Sequence, residues 1–244
     1  MDKVKQISPK LYNDFLAKTD ILAQRYIAVQ KNGYNLVDQS MLMNSESFNE
    51  RVYKEDYTRY CTFELMANEI LNRGVEGAVA ELGVFKGVFS RLINCKFKTK
   101  KMYLFDTFDS FSNEEFQEEV AAGRCTEDFI NVFKETSVDE VLDRMLYPEN
   151  IKIRKGFFPD SLEGMKEERY CFVSIDVDLE KSILEGLRYF YPRLNAGGAI
   201  FVHDYNNRFL EGVRQAVKKY EEETGQNLIK VPLSDEGGTL VICK

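Results

Sequence analysis

The segment Val79-Ala-Glu-Leu-Gly-Val-Phe-Lys-Gly87 decides the fold class of this 244-residue chain. An apolar run containing Glu81 leads into two glycines, Gly83 and Gly87, and an amphipathic stretch follows them. A buried strand, a glycine turn and a helix in this order form the opening unit of a βαβ fold. The segment therefore predicts the first strand and helix of an α/β core.

The rest of the core shows the same alternation, because short apolar runs ending in acidic or glycine residues alternate with amphipathic stretches after Gly77. This pattern predicts a doubly wound α/β sheet. Strands are predicted at 78–83, 101–106, 150–155, 170–176 and 198–203. Helices are predicted at 86–96, 137–146, 180–191 and 209–224. The tail predicts two more strands, at 228–233 and 239–243, which the short connection makes antiparallel.

The segment before the core has the pattern of a helical extension. An apolar stripe at helical spacing predicts a helix over 9–31, and the polar stretch 31–56 predicts a loop or lid. A second helical pattern runs from Arg59 to Asn72 and ends at Arg73-Gly74. We therefore place an N-terminal helical extension or lid at 1–75 and the ligand-binding core at 76–244.

Composition and charge exclude several classes of partner. A formal charge of −7 and a pI near 5.1 argue against binding to bulk DNA or RNA. No apolar run is long enough to cross a bilayer, and the N-terminus lacks the apolar segment of a signal peptide. The five cysteines are odd in number and never form Cys-x-x-Cys, so we expect buried thiols in a reducing compartment. These features predict a cytoplasmic protein without a membrane partner, and they leave homo-oligomerisation open.

The glycine loop predicts a ligand without phosphates. A dinucleotide site has Gly-x-Gly-x-x-Gly at this turn, and the segment lacks that first glycine pair. S-adenosylmethionine fits better, because its amino-acid head and positive sulfonium suit a nearby carboxylate such as Glu81. Asp106 ends the following strand, where it is placed to accept hydrogen bonds from two ribose hydroxyls. We predict that Glu81, Gly83, Gly87 and Asp106 bind the donor.

Two further positions belong to this predicted donor site, and a structural alternative stands beside it. Gly156 ends a later strand facing the same crevice, and Phe157 or Phe158 can stack on adenine, although core packing explains this pair equally well. The alternative for the loop is that its glycines permit close helix–strand packing and that Asp106 caps a helix.

Acidic side chains follow two neighbouring predicted strands. Asp176 and Asp178 end one strand, and His203 and Asp204 end the next. Parallel strand ends converge, so unpaired carboxylates there would raise one another's pKa unless a cation binds them. Oxygen-rich ligands favour Mg²⁺, with Mn²⁺ or Ca²⁺ as alternatives. We predict a metal site of Asp176, Asp178 and Asp204, the alternative being that these acids cap the following helices.

The same cluster contains the candidate bases. A bound divalent cation would lower the pKa of an acceptor hydroxyl. His203, the only histidine, has an ordinary pKa near neutrality and can take the proton, and Asp178 is the other candidate. A structural role for His203 stays open beside the catalytic one.

Several motifs, taken together and in order over roughly residues 57–220, resemble the macrocin O-methyltransferase (TylF-like) family of class I S-adenosylmethionine-dependent methyltransferases. They are Arg59-Tyr-Cys-Thr-Phe-Glu-Leu-Met, Ala78-Val-Ala-Glu-Leu-Gly-Val-Phe-Lys-Gly, Tyr103-Leu-Phe-Asp-Thr-Phe-Asp-Ser-Phe, Lys155-Gly-Phe-Phe-Pro-Asp-Ser-Leu, Phe172-Val-Ser-Ile-Asp-Val-Asp-Leu, Tyr191-Pro-Arg-Leu and Gly197-Gly-Ala-Ile-Phe-Val-His-Asp-Tyr. Some family members have a second acid where His203 stands, which leaves the number of metal ligands open.

The resemblance implies a Rossmann-like sheet of about seven strands, S-adenosylmethionine as donor and a Mg²⁺ site of strand-end acids. It also implies methylation of a sugar hydroxyl on a glycosylated natural product or glycan. Two other functions remain: a metal-dependent glycosyltransferase that uses Asp176-Val-Asp178, and a non-catalytic module that binds S-adenosylmethionine. A small-molecule or glycan acceptor is expected if the chain is an O-methyltransferase.

Overall fold

The computed structural model describes residues 56–108 and 136–244, together with Gln117, Val120 and Ala121. In this part of the chain the α-helices are α1 (Tyr57–Asn72), α2 (Val88–Lys96), α3 (Val138–Asp143), α4 (Glu180–Arg193) and α5 (Glu211–Thr224). The strands are β1 (Ala78–Leu82), β2 (Met102–Asp106), β3 (Ile151–Lys155), β4 (Tyr170–Ile175), β5 (Leu194–Val202), β6 (Ile229–Pro232) and β7 (Leu240–Cys243). Short 3₁₀ helices span Pro148–Asn150 and Asp160–Leu162.

The described strands form one seven-stranded sheet in the order β3-β2-β1-β4-β5-β7-β6. Strands β1 to β5 pair in parallel, whereas β7 pairs antiparallel with both β5 and β6. The first strand, β1, lies inside the sheet. Strands β2 and β3 follow on one side of it, and the chain then crosses to β4 on the other side. Such a reversal opens a crevice at the carboxyl ends of β1 and β4, where open α/β sheets bind their ligands.

The central strands are apolar because they are covered on both faces. All five residues of β1 and all six of β4 are buried, as expected for parallel strands packed between helices. Glu81 is the one ionisable residue of β1, and it is only 2% exposed. A carboxyl group in such a place must be neutralised or bonded.

Two hydrophobic layers cover the sheet. On one face, α4 and α5 bury Leu187, Phe190, Val213 and Val217 against the strands. On the other face, Phe63 of α1 lies within 5.1 to 6.3 Å of three aromatic rings, measured between ring centroids. Those rings belong to Phe89, Phe97 and Phe172. Helix α1 is therefore part of the core.

The α/β fold with an antiparallel final strand pair is confirmed, and most predicted elements differ from the observed ones by one to three residues at an end. The exception is β5, which begins at Leu194 instead of 198. Its pairing with β4 shifts between Tyr170 and Phe172, so a bulge takes up residues 195–198 without ending the strand. Gly197 and Gly198 lie inside this bulge.

The predicted helix over 9–31 and the predicted loop or lid up to residue 55 lie outside the described residues. The division of the chain at 75/76 stays a prediction, although α1, which precedes it, packs on the sheet. Within the described ranges, no helix has both the length and the apolar character needed to span a membrane.

Candidate active site

The glycine loop connects β1 to α2 and is held by Asp106. One carboxylate oxygen of Asp106 accepts hydrogen bonds from the backbone N–H groups of Val84, at 2.6 Å, and Phe85, at 3.0 Å. The other oxygen accepts from the backbone N–H of Phe108 at 2.7 Å. The carboxylate of Asp106 therefore fixes the backbone of the loop. Its predicted contact with ribose stays a prediction.

The two loop glycines permit close packing. A Cβ at Gly83 would lie 2.0 Å from the carbonyl oxygen of Asp176, and the backbone there has φ +87°. Gly87 is the N-cap of α2 with φ +72°, and a Cβ there would lie 3.0 Å from Val141. These contacts support the packing explanation for both glycines. At Gly83 the end of β1 lies directly against the end of β4.

Glu81 faces the same loop from inside the sheet. Its carboxylate accepts a hydrogen bond from the hydroxyl of Ser90 on α2. Burial raises the pKa of Glu81 to about 8, despite the opposing effects of this hydrogen bond and of nearby Arg59. A buried carboxyl poised near neutrality can bind a cationic ligand group by becoming ionised.

The predicted acids at the ends of β4 and β5 do converge. Nδ1 of His203 lies 2.6 Å from Asp204 and 3.0 Å from Asp176, in each case to a carboxylate oxygen. The ligand atoms that Asp176, His203 and Asp204 offer all lie within 4.8 Å of one another. Asp178 lines the same cleft as these three residues, but it is not one of the residues whose ligand atoms lie this close together. The arrangement brings an imidazole and three carboxyl groups together.

Backbone geometry orients these side chains. Asp178 and Asp204 both have positive φ, +62° and +57°, which is uncommon outside glycine. The amide of Asn207 donates to Asp204 at 2.8 Å. On the far side of the imidazole, a Cβ at Gly237 would lie 2.3 Å from Nε2 of His203, so this glycine leaves room for the ring.

The ionisable groups of the cluster shift one another's pKa values. Burial alone would raise the pKa of Asp176, but His203 and Arg59 hold it well below its usual range. Burial lowers the pKa of His203, but Asp176 outweighs this effect and raises it to about 10. Burial and the neighbouring Asp176 and Asp204 raise the pKa of Asp178 well above its ordinary value. His203 is therefore charged at pH 7, and the environment of Asp178 favours its protonated form.

This charge state bears on both predicted bases. A protonated imidazole cannot accept another proton, so a basic His203 requires that its ion pair with Asp176 be broken. Burial and the acidic neighbours favour the protonated form of Asp178, and in that form it cannot accept a proton. The catalytic roles of His203 and Asp178 stay predictions.

Arg59 is a site residue that the sequence analysis did not identify. Its guanidinium donates from Nη2 to Asp176 at 3.0 Å and lies 4.3 Å from the ring centroid of Phe89. Arg59 lies in the first turn of α1, 117 positions before Asp176, so no local spacing relates the two. The available signal was its place at the start of the first motif shared with the methyltransferase family.

A cleft of about 350 Å³ joins the loop and the acid cluster. Of the predicted site residues, those lining it are Glu81, Gly83, Asp176, Asp178, His203 and Asp204. Those not in its lining are Gly87, Asp106, Gly156 and Phe157. The structure thus brings together the acids of the predicted metal site and the first half of the predicted donor loop.

The remaining predicted donor residues lie on the β2–β3 side of the loop. The backbone N–H of Gly156 donates to the carbonyl of Asp106 at 2.9 Å. Phe157 is 49% exposed, whereas Phe158 packs in the core against the rings of Phe105 and Phe190. Of the aromatic pair, only Phe157 is thus free to stack on a ligand.

The same fold is present in solved O-methyltransferase structures. The O-methyltransferase NovP superimposes with a TM-score of 0.62 at 18% identity, covering 76% of this chain and 79% of NovP. The calicheamicin methyltransferase CalS11 superimposes with a TM-score of 0.52 at 14% identity, covering 91% of each chain. The fold is thus that of the Rossmann-like O-methyltransferases.

Residues 57–236 match the family model described as macrocin-O-methyltransferase (TylF), and the chain belongs to this family. It is therefore a methyltransferase. One relative, 23% identical over 193 residues, is the 8-demethyl-8-(2,3-dimethoxy-alpha-L-rhamnosyl)-tetracenomycin-C 4'-O-methyltransferase of Streptomyces olivaceus. Another, 25% identical over 166 residues, is the mycinamicin III 3''-O-methyltransferase of Micromonospora griseorubida. The matches cover 75% and 64% of this chain, and 70% and 64% of these relatives.

Proposed function

We propose that this protein transfers a methyl group from S-adenosylmethionine to a sugar hydroxyl of a glycosylated natural product or glycan, with the help of Mg²⁺ or another divalent cation. Family membership favours methyl transfer over the glycosyltransferase alternative. The acceptor class follows the curated relatives, one of which is named for a rhamnosyl compound. The observation that carries the proposal is the single cleft shared by the glycine loop and the strand-end acids.

The residues around the loop suit the proposed donor. The site offers carboxyl groups to a positively charged ligand, and a backbone turn without the glycine pattern of a pyrophosphate site. S-adenosylmethionine supplies an activated methyl group on a cationic sulfur. Glu81 and Gly83 face the cleft, and Gly87, Asp106, Gly156 and Phe157 complete the proposed donor site from the adjoining side.

The acid cluster suits a hard divalent cation. Asp176 and Asp204 offer oxygen ligands beside the imidazole of His203, and Asp178 is buried in the same cleft. Several buried carboxylates are costly unless they are paired or bind a cation, which supports the proposal. A bound cation would lower the pKa of the acceptor hydroxyl. Asp178 or His203 would take the hydroxyl proton, and each must first lose the proton that its neighbours favour.

The test is a methyl-transfer assay with methyl-labelled S-adenosylmethionine on glycosylated natural products, run with Mg²⁺ and with EDTA. Asp204→Asn should lose about 100-fold or more in activity while still binding the donor, because the acceptor hydroxyl loses its activation. Asp139→Asn, at an exposed position on α3, is the matched control and should stay active.

Each result has a definite consequence. Transfer that is equal with Mg²⁺ and with EDTA, and equal in Asp204→Asn, removes the cation from the mechanism. Donor binding without transfer to any glycosylated acceptor, with transfer to another hydroxyl compound, rejects the proposed acceptor class. Binding with no transfer at all would support the non-catalytic module.

A further inference from the structure

Both oxygens of the Asp204 carboxylate have a partner in the structure. One lies 2.6 Å from Nδ1 of His203, and the other accepts a hydrogen bond of 2.8 Å from the side-chain amide of Asn207. Asp204 is 8% exposed, and both Asp204 and Asn207 line the cleft. Because each partner holds a different oxygen, the plane of the carboxylate is fixed.

The side-chain amide of Asn207 is bonded at both ends. Its nitrogen donates to Asp204, and its oxygen accepts a hydrogen bond of 3.0 Å from the backbone N–H of Phe209. The amide nitrogen only donates and the amide oxygen only accepts, so these two bonds determine which end faces the acid. Asn207 therefore presents a neutral N–H group to Asp204.

The backbone of Asp204 also depends on Asn207. Asp204 follows β5 in the left-handed conformation, with φ +57°, which costs energy in a residue other than glycine and persists only where surrounding contacts hold it. The backbone N–H of Asn207 donates to the carbonyl of Asp204 at 3.0 Å and closes the turn between them. Asn207 thus holds both the backbone and the side chain of this acid.

The neighbouring Asn206 holds the same loop through other partners. Its backbone N–H and side-chain amide donate to the carbonyl of Gly238, at 3.0 and 3.2 Å. Its side-chain oxygen accepts a hydrogen bond of 2.6 Å from Arg214. Asn206 therefore anchors the loop to the turn between β6 and β7 and to α5, whereas Asn207 anchors Asp204.

We propose that Asn207 is a positioning residue that holds the Asp204 carboxylate in the orientation in which it binds the divalent cation, an inference that rests on the cation of the proposed function. Hydrogen bonds to the ligands of a metal fix their orientation, and removing such a partner typically weakens metal binding by about 10- to 100-fold. A neutral amide suits this position because it orients Asp204 and leaves its negative charge to attract the cation, whereas a lysine would neutralise that charge.

The test measures the affinity of the full-length protein for Mn²⁺ alone, by electron paramagnetic resonance of the free ion and without donor or acceptor. In Asn207→Ala the Mn²⁺ affinity should fall by about 10- to 100-fold, because Asp204 loses the bond that orients it. Asn206→Ala removes an identical amide from the same loop, and it should bind Mn²⁺ as tightly as the wild type. Circular dichroism verifies that each variant is folded.

A second variant, Asn207→Ser, covers the case in which Asn207→Ala does not fold. The serine hydroxyl can still accept from the backbone N–H of Phe209, but it is shorter than the amide and does not span the distance to Asp204. This variant should keep the turn and still lose about tenfold in Mn²⁺ affinity. Undiminished affinity in a folded Asn207 variant, or an equal loss in Asn206→Ala, overturns the positioning role. If the wild-type protein itself does not bind Mn²⁺, the cation of the proposed function fails instead, so the two failures are distinguishable.

Discussion

At the scale of single residues, the site is built from charges that the protein has buried. Glu81, Asp176 and Asp178 are all held in or beside the sheet, and each has a displaced pKa. Asp176 is the ionised member because it lies between His203 and Arg59. Perturbed titration of this kind is typical of functional sites. Burying these ionisable groups costs stability.

Glu81 provides a direct test of that cost. Its pKa rises from an ordinary 4.5 to about 8 on folding, so the folded state favours the neutral carboxyl and loses stability as the pH rises through this interval. Without donor, Glu81→Gln should therefore be more stable than wild type at about pH 9, by a few kcal/mol, with a smaller gap at about pH 5. Urea denaturation at both pH values measures the gap. A gap independent of pH would contradict burial of an ionisable Glu81.

At the scale of elements, the close approach of β1 and β4 places the loop beside the acids. Gly83 lies against the carbonyl of Asp176, and Asp176 in turn donates its backbone N–H to Leu82 at 2.8 Å. The sequence motif placed Gly83 correctly after a strand. Its contact partner could not be predicted, because Asp176 is distant in sequence and only sheet pairing brings the two together.

Gly83→Ala tests whether close approach or backbone conformation requires this glycine. A new methyl group 2.0 Å from a backbone oxygen must displace β1 from β4, so we expect a loss of more than about 3 kcal/mol. Gly164→Ala is the control, because Gly164 has a similar φ of +68° but nothing within 4 Å of its Cβ position. It should lose only about 1 kcal/mol, the cost of the left-handed conformation. Equal losses in chemical denaturation would mean that backbone conformation alone explains Gly83.

At the scale of the whole molecule, α1 contacts both the hydrophobic core and the cleft. The helix buries Phe63 among aromatic rings of the sheet and α2, and one turn earlier it presents Arg59 to the cleft. A helix that precedes the first strand, and that the sequence analysis assigned to an extension, therefore contributes to hydrophobic packing and also lines the cleft. We expect α1 and the sheet to unfold together.

Phe63→Ala should destabilise the protein by about 3 to 5 kcal/mol, the usual cost of removing a buried phenylalanine. Phe209→Ala, at a side chain 73% exposed, is the control and should change stability little. Circular dichroism follows the helices, and tyrosine fluorescence follows the core because the chain has no tryptophan. If the circular dichroism and fluorescence transitions of Phe63→Ala coincide at a lower denaturation midpoint than in the wild type, α1 and the sheet unfold as a single unit. Separate melting of helix and core would show that α1 is independent.

The sequence by itself determined the order of strands and helices, the antiparallel tail, and the acids at the carboxyl ends of β4 and β5. These features are local, because hydrophobic periodicity, glycine turns and strand-end residues are written in neighbouring positions. Tertiary structure alone decided that Arg59 joins Asp176, that Asp106 holds the loop, and that Gly83 contacts β4. Each of these contacts joins positions far apart in the chain, and only the sheet order and helix packing bring them within bonding distance.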